Sequence, residues 1–305
     1  MLDVFLNVIM PVFLVAVIAA AFQRWRKLPV STLSQVTLYL LTPSLIFTAL
    51  IEQNIPPASV SVRIVGALVV VTVFILVIST VVSKILGHDR PMRSAFMLST
   101  GFPNAGNMAL PVLLLAFGDE GLAVGVIVFV TLAIMGQSLG VFIAAGSEMD
   151  ARESLKQIFK LPAIYAIIAA LLVRMVGIEL PLVIFQPVQL LAQASIPMML
   201  VVLGFQLGGE FRLDGMVSLV AATVVRLLVS VPLAYAATLM FGLDELSQGV
   251  VMIVCAMPVA VFTIILSTEF KTNPRFVTNV VVASTFASML TLTIVIPMVK
   301  TFVIG

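Results

Sequence analysis

Charge is what this sequence has least of. Only 10% of its 305 residues are Asp, Glu, Lys or Arg, and 61% are hydrophobic. A soluble domain carries about a quarter charged residues. No water-soluble fold hides this much apolar surface, so the solvent must be lipid. The single cysteine, Cys255, lies in an apolar run and leaves neither a disulfide framework nor a thiolate metal site. The single histidine, His88, excludes a pair of imidazole ligands. There is no Gly-Lys-Ser/Thr phosphate loop, so this chain alone is no ATP-driven pump. Paired intramembrane carboxylates and a Gly-x-Ser-x-Gly elbow are also missing, which sets an enzyme aside. Sixteen basic against fourteen acidic residues, without a basic tail, leave no nucleic-acid footprint. No cofactor is implied.

Apolar residues supply what is there. Asp3 precedes the first apolar run, while Arg24, Arg26 and Lys27 follow it. That order is the reverse of a secretory signal, so residues 4–22 read as a retained span. Stretches of about 20 apolar residues predict ten spans, near 4–22, 31–51, 64–86, 92–116, 121–145, 161–178, 182–207, 215–241, 246–268 and 276–301. The longest connection, Gly146–Lys160, separates five spans (1–145) from five (161–305). Placing the N-terminus outside puts 12 basic residues in inner connections and 3 in outer ones, with Arg226 inside a span. That asymmetry predicts both termini outside a plasma membrane, as in a bacterial inner membrane. The acidic residues divide evenly, 7 and 7, and all fall in connections or at span ends.

Prolines recur at a nearly constant offset. Pro43 and Pro197 lie 154 residues apart, as do Gln35 and Gln189, and Pro103 and Pro258 lie 155 apart. Because each half holds an odd number of spans, the second must enter the membrane inverted. The expected architecture is therefore an all-α polytopic membrane protein of ten transmembrane helices in two inverted five-helix repeats. Secondary transporters are built this way.

Span four contains Ser99-Thr-Gly-Phe-Pro103-Asn104-Ala-Gly106-Asn107-Met-Ala-Leu-Pro111. Proline removes a donor and clashes with the carbonyl one turn earlier. Non-helical backbone at membrane depth survives only where protein or a wet cavity solvates it. A broken helix is predicted here, with Asn104 capping its second half. Span nine has a weaker counterpart at Cys255-Ala-Met-Pro258-Val-Ala-Val-Phe-Thr263. Two broken helices crossing near the midplane would aim N-terminal partial charges at one spot, which favours a carboxylate. Ordinary kinks for packing are the alternative.

These motifs, Gly101–Pro111 and Ala256–Thr263, together with Glu269-Phe270, Pro274 and Ser284-Thr285, resemble the auxin efflux carrier family. That family includes the plant PIN-type exporters and bacterial malonate or malate permeases, and the resemblance spans essentially the whole chain. It implies a scaffold of spans 1, 2, 6 and 7, usually dimeric, so a homodimer is expected. It also implies a mobile transport domain of spans 3–5 and 8–10, with substrate where the broken spans cross. Pro103, Asn104 and Pro258 match the crossing positions. The long cytoplasmic loop of the plant carriers is absent, and loop-based phosphorylation control does not transfer.

Arg226 falls eleven residues into span eight, about 16 Å along the axis, where charge is costly and usually functional. It would attract an anionic substrate, or else bind carbonyls freed by a broken helix. No mid-membrane acid or histidine offers a proton path, so transport driven by membrane potential is expected. Asn7, Gln35, Gln137, Gln193, Asn279 and Ser284 are further polar candidates, Gln137 foremost because span five should pack beside the crossing. The sequence thus predicts a carrier of small organic anions in a lipid bilayer, bound by Pro103, Asn104, Asn107, Gln137, Arg226 and Pro258. A sodium- or proton-coupled symporter of the bile-acid type is the rival. A non-transporting ligand sensor ranks below both.

Overall fold

The computed structural model describes residues 2–52, 56–146, 157–178, 180–208 and 215–302. Most of the Gly146–Lys160 connection, with Arg152 and Lys156, lies outside them, as does Arg212. The described residues form helices α1 (Leu2–Arg26), α2 (Val30–Glu52), α3 (Ala58–Ile85), α4 (Arg90–Gly101) and α5 (Ala105–Ala145). There follow α6 (Pro162–Val176), α7 (Leu182–Leu207), α8 (Met216–Met240), α9 (Glu245–Cys255), α10 (Phe262–Glu269) and α11 (Pro274–Phe302). Seven of them (α1, α2, α3, α5, α7, α8 and α11) are long and apolar enough to cross a membrane. The chain is therefore a polytopic membrane protein. Large apolar side chains such as Leu14, Ile18, Leu172 and Leu239 lie exposed on its outer surface, as lipid-facing residues do.

The seven long apolar helices overlap predicted spans 1, 2, 3, 5, 7, 8 and 10, with the end of span four in the same helix as span five. There α5 joins two helical segments at Gly118, whose φ of 64° and ψ of −154° lie outside the helical region. Glycine takes that conformation without a Cβ penalty. Asp89 and Asp244 cap α4 and α9, accepting from the amides of Met92 and Ser247 at 3.0 Å each.

Proline also explains where the helices widen. π-helical stretches run over Phe5–Ile9, Thr37–Leu41, Ala105–Ala109 and Val225–Val229. Each lies just before a proline: Pro11, Pro43, Pro111 and Pro232. The carbonyl four residues before a proline would clash with its ring, and an added residue per turn relieves the clash. A further π stretch, Gly136–Gly140, is bounded by glycines instead.

Helix α1 packs along α7, and α2 packs on α6 and α7; α3 packs on α4 and α8, and α8 on α9. The α1–α7 approach depends on Gly204. A Cβ there would lie 2.2 Å from the Ala16 carbonyl oxygen and 2.6 Å from the Ala19 methyl group. Gly204→Leu should force the two helices apart and cost about 1–3 kcal/mol or more. Thermal unfolding in detergent would read this as a lowered midpoint.

Between α3 and α4, His88 ties two helices together. Its Nδ1 lies 2.9 Å from Ser83 Oγ and its Nε2 2.8 Å from Ser218 Oγ on α8. Burial holds the imidazole below its ordinary value of 6.5; Asp89 opposes this and Arg93 adds to it. The folded chain thus takes up this proton less readily than the unfolded chain, and the bridge contributes fully above pH 6.5. Its contribution falls as the pH drops below that value. The unfolding midpoint of the wild type, measured against His88→Gln, should therefore decline from about pH 7.5 to about pH 5.5. A constant difference would exclude His88 as the titrating group.

Candidate functional site

Helices α4 and α9 both stop inside the molecule, and the chain resumes after each as α5 and α10. The two gaps lie against each other. Pro103 and Val259 form an antiparallel bridge. The Asn104 amide donates to the Pro258 carbonyl at 2.7 Å, and the Ala260 amide to the Phe102 carbonyl at 2.9 Å. The Val259 amide donates to Ser284 Oγ at 3.1 Å. Each break thus receives from the other, and from Ser284, part of the hydrogen bonding that lipid cannot supply.

A cavity of about 190 Å³ opens beside this crossing, room for about six waters at their liquid volume. Residues Pro103–Asn107 form one wall and Ala260–Phe262 another, with Gln137 of α5 alongside. Thr37 and Thr42 come from α2, and Met199 and Gln206 from α7. Phe129, Leu38 and Ile265 make much of the remainder apolar, and among the described residues no ionisable side chain lines the space.

Among the described residues two buried polar atoms at this wall have no partner, Asn104 Nδ2 and Gln206 Oε1. Asn104 is 4% exposed and occupies the N-cap position of α5, yet its side chain makes no capping bond. The expected cap is thus corrected. The wide first turn takes the Ala109 amide to the Asn104 carbonyl at 3.1 Å instead, which leaves the Asn104 carboxamide to face the cavity. An unsatisfied buried donor costs about 1–3 kcal/mol, and a ligand acceptor would recover it.

Four predicted residues, Pro103, Asn104, Asn107 and Gln137, meet at this cavity. Pro258 contributes the carbonyl that receives the Asn104 amide but stands outside the lining. Arg226 is also outside it. Its side chain is 1% exposed, and it donates from Nη1 to the Thr100 carbonyl at 2.7 Å and from Nη2 to the Cys255 carbonyl at 2.6 Å. Of its two sequence readings, the carbonyl partners are the ones realised.

The other polar candidates scatter. Asn7 bonds Asp3, Ser284 serves the crossing backbone, Gln35 and Gln193 are exposed, and Asn279 is buried away from the cavity lining. Gln206, Thr37 and Thr42 were missed. Their only signal was polarity within an apolar span, which Gln35 and Gln193 share.

Comparison with known proteins finds membrane transporters. An uncharacterized transporter of Methanocaldococcus jannaschii is 22% identical over 269 residues, covering 85% of this chain and 86% of its own. One from Methanothermobacter thermautotrophicus is 24% identical over 270 residues, covering 86% of each. A family model described as membrane transport protein matches residues 4–296. The chain therefore belongs to the membrane transport protein family, the auxin efflux carrier family that its broken-helix motifs resemble.

Proposed function

We propose that this protein is a secondary transporter of small organic anions, working by alternating access and driven by the membrane potential. One observation carries the reading: Asn104 holds an unpartnered amide donor at a cavity beside the start of α5. A carboxylate placed there accepts from Asn104 Nδ2. It also meets the first-turn amides of α5 at Gly106 and Asn107, which helix geometry leaves without intrahelical acceptors. The partial positive charge of the helix start favours the anion further.

In this reading the chain makes ten passes. Helix α4 with the first part of α5 is one broken pass, α9 with α10 is another, and the kink at Gly118 divides α5 in two. Corresponding residues support an inverted repeat with halves 1–145 and 161–305. Asp89 and Asp244, the caps of the two interrupted passes, stand 155 apart, as do Pro103 and Pro258. Ser195 Oγ donates to the Leu41 carbonyl, its counterpart 154 residues earlier, as residues beside a two-fold axis would. The packing of α1, α2, α6 and α7 on one another supports a scaffold, against which passes 3–5 and 8–10 would move. A homodimer in the bacterial inner membrane, with both termini outside, completes the proposal.

Currents from proteoliposomes on a solid-supported membrane test it, using malonate, malate, oxalate and 4-hydroxybenzoate without sodium at symmetric pH. A saturable current supports uncoupled anion transport. Current that appears only with sodium replaces it with a symporter, and no response to any acid under either condition overturns the anion reading.

A further inference from the structure

Arg226 carries the one full charge that the sequence places deep within a pass. Among the described residues no carboxylate pairs with it, and both of its bonds go to carbonyls. Thr100 lies in the last turn of α4, and Cys255 ends α9. These are the negative poles of two helix dipoles. A dipole has no net charge, so these bonds solvate the guanidinium without cancelling it. Arginine does not shed its proton in proteins, and the site keeps a formal charge of plus one.

The same bonds couple that charge to the cavity. Three residues beyond Thr100 the chain reaches Pro103, and five beyond Cys255 it reaches Ala260, both in the cavity wall. Ser230 Oγ also donates to the Cys255 carbonyl at 2.6 Å, and Ser79 Oγ lies 2.6 Å from Thr100 Oγ1. Charge and binding wall therefore belong to one hydrogen-bonded body.

We infer that Arg226 is the resident counter-charge of the transported anion, so that the charge buried within the moving unit is cancelled when it holds a monoanion and is plus one when empty. This rests on the transporter reading above. The loaded step then moves no net charge, and the membrane potential acts on the empty return. With a negative interior, the empty positive unit is drawn inward, which returns the site to the side from which an anion is exported. The complete cycle still moves one negative charge outward per anion. A potential of 100 mV shifts a one-charge equilibrium by about 50-fold, ample to set the direction.

The test compares two fluxes of labelled 4-hydroxybenzoate in proteoliposomes at potentials fixed by potassium and valinomycin, less the leak of protein-free vesicles. Exchange, with equal substrate on both sides, uses only the loaded step and should change less than two-fold between zero and 100 mV, inside negative. Net efflux needs the empty return and should rise several-fold. Exchange as steep as net efflux overturns the inference. Arg226→Gln should transfer the voltage dependence to exchange, which a merely structural arginine would not do. If that variant does not fold, the wild-type pair of fluxes still decides. Transport confined to dianions overturns the one-to-one pairing while leaving the transporter reading intact; no transport of any acid removes both.

Discussion

Asn104→Leu should raise the half-saturating anion concentration at least 10-fold, and as much as about 150-fold, in a protein that purifies and unfolds like the wild type. The two halves of that result have separate causes. Among the described residues Asn104 Nδ2 has no partner and the side chain makes no capping bond, so leucine of similar size removes no bond from that amide. Relief of an unsatisfied buried donor should leave stability equal or slightly higher. The bound anion, by contrast, loses a charge-assisted hydrogen bond worth about 1.5–3 kcal/mol, or about 10- to 150-fold in affinity. Anion-evoked current titrated against concentration measures the effect, with thermal unfolding as the control. A wild-type titration curve would remove Asn104 from the site.

Arg226→Leu should show the opposite signature, with a large loss of stability. Two hydrogen bonds from a charged donor disappear, and the carbonyls of Thr100 and Cys255 lose that partner in a site closed to water. Ser230 still donates to Cys255, so the heavier loss falls on Thr100 and α4. At about 1.5–3 kcal/mol per charged hydrogen bond the expected cost is about 3–6 kcal/mol, with the pole of α4 left uncompensated. Arg226→Lys keeps the charge but lacks the planar fork that reaches two acceptors, and should fall between. Unfolding midpoints in one detergent rank the three proteins, and a leucine variant as stable as the wild type would contradict the clamp.

The broken passes were legible because proline, glycine and asparagine crowd into Gly101–Pro111, and backbone chemistry alone forbids a regular helix there. Arg226 stood out for a similar reason: one cation in an apolar run must find oxygen. What the sequence could not state was which oxygen. Its partners, Thr100 and Cys255, are 126 and 29 residues away and meet it only through packing. Gln206 and Gln193 look alike along the chain, yet one lines the cavity and the other is exposed. The uncapped state of Asn104 was hidden too, because it follows from the wide turn that Pro111 imposes seven residues after Asn104. Local chemistry marks where a helix must fail, and tertiary packing decides which side of the failure faces a ligand.

The mutual bonding of the two breaks also constrains how the protein is made. During synthesis, Phe102 and Asn104 reach the bilayer long before Pro258 and Ala260 leave the ribosome. Until then the Asn104 amide and the Phe102 carbonyl have no partner from the second half. Lipid provides none, and each such group costs several kcal/mol. The nascent first half must therefore stay beside the insertion machinery or recruit water until α9 and α10 arrive, and a chain terminated near residue 145 should be a substrate for membrane proteolysis.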